Sequence, residues 1–184
     1  MPLKRICFLA ATFLGLISIA HAETNHYNRI VGQYISGNFG GSYANQTHQE
    51  DRKENGFLGV GANLFLGDQI NPYFAPEVGV AYFDMEHYND WFSILNLNGR
   101  FTIPVGTRVS LFAKIGIGLG SVKTCFRHCH TSNDMVPTGG LGVGVGLTKE
   151  WMTSAEFNGA YFSTKNAVGI FGGLTIGATR YFAQ

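Results

Sequence analysis

The sequence predicts an all-β protein, an eight-stranded antiparallel up-and-down transmembrane β-barrel. Three observations predict it. Apolar residues return at every second position, the spacing that puts side chains on one face of a strand. The residues between them are mostly glycine, asparagine, serine and threonine, where a water-facing surface would carry many lysines and glutamates. The connections between apolar stripes alternate short and long, as in barrels with tight turns at one end and extended loops at the other.

Residues 1–22 read as an export signal and 23–184 as the barrel domain. Lys4 and Arg5 give a positive start, and Ile6 to Ile19 is almost wholly apolar. That run is too short for a spanning helix, which needs about 20 residues. Ala20-His21-Ala22 then places small residues beside a cut before Glu23. Cys7 follows Arg5 and Ile6, so it lies outside any lipobox and leaves with the signal. Removing Lys4 and Arg5 leaves 11 basic against 12 acidic residues. A nucleic-acid binder needs a basic surplus, which is absent here. Fifteen phenylalanines and eight tyrosines exclude a disordered chain.

The first strand, around Ile30 to Gly40, is the least marked, with Val31, Ile35 and Phe39 as its apolar set. Leu58, Val60, Ala62, Leu64 and Leu66 form the second stripe, and Val78, Val80 and Tyr82 the third. Leu95, Leu97, Phe101 and Ile103 make the fourth; Val109 to Leu119 alternate through the fifth. Leu141, Val143, Val145 and Leu147 follow, then the weaker set Ala155, Phe157 and Tyr161, and finally Val168, Ile170, Leu174, Ile176 and Ala178. Short turns are expected at Gly67–Asn71, Pro104–Thr107 and Thr148–Glu150, and long loops at Ser42–Gly56, Asp84–Asp90, Ser121–Pro137 and Ser163–Asn166. An even strand count leaves both termini at the short-turn end. No linker, repeat or second domain is expected.

Alternation alone does not separate a membrane barrel from a soluble one with an apolar interior. The small-residue face decides for the membrane, because glycines suit a narrow lumen already crowded by Phe65, Phe112 and Tyr181. Glu77, Arg100, Lys114 and Glu156 share that inner face. Two acids and two bases in a confined space are expected to pair as structural salt bridges, because an unpaired one is costly; the competing reading is a gated ion path. Tyr73, Phe74, Trp151, Tyr181 and Phe182 near the short turns, and Tyr82, Phe83, Trp91, Phe92, Tyr161 and Phe162 near the long loops, suggest two interfacial girdles, some rings packing inside.

The run from Pro72 to Tyr82, the run from Thr107 to Gly116 and the stretch from Gly139 to Tyr161 resemble the small eight-stranded outer-membrane barrels of the outer membrane protein A transmembrane domain and the opacity/attachment-invasion type. Arg180-Tyr181-Phe182 is similar to the terminal aromatic signal read by the barrel-assembly machinery, although Ala183 and Gln184 follow it here. The resemblance implies a monomer in the outer membrane of a Gram-negative bacterium, among lipid and lipopolysaccharide. It implies a non-enzymatic role without cofactors: envelope integrity, with adhesion or evasion of host defences through the outer loops. A narrow pore for small solutes is the first alternative.

The third long loop holds the densest chemistry, Cys125-Phe126-Arg127-His128-Cys129-His130. An exported chain favours a Cys125–Cys129 disulfide over a zinc site built from the thiols and imidazoles. Lys123, Arg127, His128 and His130 make this loop locally basic, able to touch lipopolysaccharide phosphates or an acidic host ligand; a solvated loop without a ligand is the plainer expectation. His130-Thr131-Ser132 resembles the His-x-Ser pair of outer-membrane lipid A deacylases, the second alternative. That motif is three residues long, and Asp134 is not at the family's downstream acidic position.

Overall fold

A computed structural model describes residues 31–48, 54–85, 90–125, 129–163 and 167–182. Residues 1–30, which include the expected export segment, and the tips of all four long connections lie outside them. Eight strands follow in chain order: β1 Gly32–His48, β2 Glu54–Gln69, β3 Phe74–Met85, β4 Asp90–Val105, β5 Val109–Cys125, β6 Cys129–Gly146, β7 Trp151–Ser163 and β8 Ala167–Tyr181. Each pairs antiparallel with the next, and β8 closes on β1.

The register sets the shape of the closed sheet. Following opposed residues once around from Ala44 leads through Phe171, Ala160, Thr138, Gly116, Asn98, Glu77 and Gly67 to Tyr34. The path returns to β1 ten positions below its start. Such a stagger tilts the strands, and eight tilted strands leave an interior just wide enough to be filled by side chains. Every residue of that path points inward.

The other face is apolar and open. Leu58 is 71% exposed, and Val60, Leu97, Ile103, Ile115, Leu141 and Leu174 resemble it. A continuous apolar belt of this kind is a lipid-contacting surface, because soluble monomers rarely expose such patches. Tyr73, Trp151 and Phe182 at one end, and Tyr82 and Tyr161 at the other, are exposed outside the barrel. The girdle is thus thinner than the sequence suggests, since Tyr181, Phe83, Phe92 and Phe162 face inward and are buried.

The short turns fall at residues 70–73, 106–108 and 147–150. Gly106 has φ of 83°, a left-handed conformation that a side chain disfavours. The long connections need correction. Strand pairing continues to Thr47↔Glu54 and to Cys125↔Cys129, so most of Ser42–Gly56 and Ser121–Pro137 is ladder rather than loop. From Thr131 to Asp134 both faces of the strand are exposed, so apolar alternation fades there while backbone pairing persists.

Prolines end two ladders early. β2–β3 pairing stops at Gly67↔Glu77, next to Pro76, and β6–β7 pairing stops at Thr138↔Ala160, next to Pro137. A proline has no N–H to give to the next rung.

Candidate functional site: the filled lumen

Glycine makes room for the lumen's large side chains. A Cβ on Gly79 would strike the Phe65 ring, one on Gly142 the Phe112 ring, and one on Gly67 the Tyr34 ring. Each of these glycines sits on a strand next to the one that carries the ring. The alternating glycines are therefore seats for side chains reaching across from the neighbouring strand.

Three layers fill the interior. At the long-loop end Phe92 stacks on Phe171 with centroids 4.6 Å apart and on Phe83 at 6.0 Å; Phe162 meets Phe171 at 5.0 Å. Ala44, Ile94, Val122, Val136 and Ala160 complete this buried apolar plug. At the short-turn end Tyr34, Ala75, Met152 and Tyr181 form a second cluster.

The ionic layer lies between them. Lys114 Nζ is 3.1 Å from Glu77 Oε2 and 3.0 Å from Glu156 Oε2. Arg100 Nη1 lies 3.6 Å from Glu77 Oε1, which also accepts a 2.6 Å hydrogen bond from the Tyr34 hydroxyl. Asn38 and Asn158 donate to Glu156 Oε1 at 2.9 and 2.8 Å. All four charged side chains are almost fully buried. Lys114 and Arg100 are directly opposed across β4 and β5, a like-charge contact that is unfavourable alone. Glu77 and Glu156 come in from β3 and β7 to offset it. Aromatic faces add to this: the Arg100 guanidinium lies 4.0 Å from the Phe112 ring centroid and Lys114 Nζ 4.0 Å from that of Phe65.

A cavity of about 20 Å³ sits between the plug and the ionic layer, among Ile94, Asn96, Asn98, Lys114 and Asn158. That is room for a single water. Among the described residues no group of three or more histidine, cysteine or carboxylate side chains is arranged to hold a metal.

Residues 8–182 match the family described as outer membrane protein beta-barrel domain. The chain belongs to that family. It is therefore a protein of the Gram-negative outer membrane, set among lipid and lipopolysaccharide. Three solved barrels show the likeness. Neisserial surface protein A has a TM-score of 0.68 at 13% identity, covering 82% of this chain and 97% of that one. Ail, the attachment invasion locus protein of Yersinia pestis, has 0.55 at 16%, covering 83% and 100%. The N-terminal barrel domain of Pseudomonas aeruginosa OprF has 0.55 at 12%, covering 81% and 98%. At these identities the likeness carries the fold. No curated protein matches the chain.

The remaining singled-out residues lie at the long-loop end. Lys123 is half-buried on β5, opposite Trp91 and Thr131. Arg127 and His128 lie outside the described residues, as do the side chains of Cys125, Cys129 and His130. Ser132 and Asp134 are exposed on β6, and Asp134 Oδ1 accepts a hydrogen bond from the Met135 N–H at 2.9 Å. The aromatic plug is what sequence reasoning missed. Its signal is the phase of Phe83, Phe92 and Phe162, each one position out of step with the apolar stripe of its own strand.

Proposed function

We propose that the protein is a non-enzymatic, monomeric outer-membrane barrel that reinforces the envelope and presents its four outer connections for surface contact, as in adhesion or evasion of host defences. The observation that carries this reading is the packed lumen, whose aromatic plug and ionic layer leave room for about one water between them. A barrel so filled has its variable chemistry at its rim. On this reading residues 1–22 are removed on export, and the barrel-assembly machinery inserts residues 23–184.

The rim segment around Lys123, Arg127, His128 and His130 is the proposed contact, for phosphate or sulfate groups on a surface ligand. Ail has been solved with the heparin analogue sucrose octasulfate, which serves as a defined polyanion for the test. Replacing residues 126–128 by Gly-Ser-Gly is expected to abolish binding of sucrose octasulfate and of host cells while heat-modifiable migration is kept. Equal binding by the variant overturns the contact assignment.

Refolded protein in planar bilayers is expected to show no large, stable single-channel currents; such currents would establish the pore reading instead. Unchanged lipid A acylation on overexpression is the expected result for a barrel without deacylase activity.

A further inference from the structure

We infer that Cys125 and Cys129 form a disulfide that closes the tip of the β5–β6 ribbon. The argument is independent of the surface-contact reading. It starts from the register, which makes these two residues the last opposed pair of the β5–β6 ladder, with three residues between them. Directly opposed α-carbons of an antiparallel ladder lie about 4.5 or 5.5 Å apart, according to the type of pair. Both separations fall within the roughly 4.4–6.8 Å range of α-carbon distances in disulfides, so the register brings the two backbones within bonding reach. Directly opposed residues also share one face of the ribbon.

The ribbon is where the fold supplies least support. β6 pairs with β7 only from Thr138 downward, because Pro137 interrupts the ladder. On the other side β4 reaches β5 no further than Trp91↔Lys123. Among the described residues the rungs Thr124↔His130 and Cys125↔Cys129 therefore have no neighbouring strand on either side. A two-stranded ribbon is marginal in water without further packing. A covalent rung at its end removes the fraying that packing does not prevent.

The chemistry is that of an oxidising compartment. One thiolate attacks the disulfide of a protein oxidant and forms a mixed disulfide. The second thiolate then displaces the oxidant's sulfur and forms the Cys125–Cys129 bond. Two electrons reduce the oxidant's disulfide to a dithiol, and the two thiol protons end on that dithiol or in solvent.

The test uses the full-length protein from outer-membrane fractions, prepared without reductant, denatured, alkylated and mapped by peptide mass. No alkylation at Cys125 or Cys129 before reduction, and alkylation at both after it, is the expected result. Alkylation at both without reductant overturns the inference. So do zinc at one equivalent with thiols released by chelator, or a reductant-sensitive dimer carrying the bond between chains. A second measurement reads the ribbon itself. Trypsin cleavage after Arg127 in the folded barrel should leave two fragments that separate only on reduction. The C125S/C129S variant, still heat-modifiable, should separate at once and be clipped several-fold faster. Equal clipping rates for the two proteins overturn the stapling role.

Discussion

The long-loop half of the lumen and the layer beneath it hide their side chains equally well by opposite means. Phe83, Phe92, Phe162 and Phe171 fill the first with stacked rings, and each contact adds about 0.5–1.5 kcal/mol beyond burial. Glu77, Arg100, Lys114 and Glu156 fill the second with ions, whose attraction mainly offsets the cost of taking them out of water. Loss of one ring leaves a hole and little else. Loss of one ion strands its partners, so the ionic layer behaves as a unit while the plug behaves as a sum of parts.

The largest effect should therefore come from Lys114, which touches both carboxylates. Lys114→Met is expected to cost about 3–5 kcal/mol, as for breaking other buried ion pairs, read as a lower urea midpoint for loss of heat-modifiable migration. Adding Glu156→Gln to that variant should recover part of the loss, with a coupling of about 0.5–3 kcal/mol. Strictly additive losses would mean that the layer is not a unit.

Phe92→Ala sharpens the other side of the comparison. It removes a fully buried ring between Phe83 and Phe171, at about 3–5 kcal/mol on the usual scale, with the lower end expected where the neighbouring rings close in. Because the ionic layer still blocks the lumen, no stable conductance should appear in bilayers. A current from this variant alone would make the plug the sole seal.

Gly142→Val probes how the rings are seated. Its Cβ would meet the Phe112 ring and lie 2.9 Å from the Ala155 carbonyl oxygen. Overpacking of this kind costs about 1–3 kcal/mol, which the same urea titration reads. The smallest change belongs to the rim pair Arg180–Glu150, 4.0 Å apart and about half exposed on both sides. Glu150→Gln should move the midpoint by less than about 1 kcal/mol, because water screens such a pair.

Legibility in the sequence follows the solvent. Where lipid wets one face, alternation from Leu58 to Leu66 or Val109 to Leu119 is strong enough to place strands and their orientation. Where water wets both faces, as from Thr131 to Asp134, nothing in side-chain polarity distinguishes ladder from loop, and the β5–β6 ribbon carries no strand signal. The inward phase of Glu77, Arg100, Lys114 and Glu156 is visible in the same alternation. Their choice of partners is not, because it depends on residues from four different strands meeting across the axis.

The sequence by itself determined the strand count, the apolar belt and the short-turn end, because period and turn chemistry are local properties of the chain. Only the closed structure decided what fills the lumen. The ten-residue stagger tilts the strands, so that Tyr34 of β1 meets Glu77 of β3 and Lys114 of β5 meets Glu156 of β7 inside the barrel. No local pattern specifies which distant residues such a tilt sets side by side.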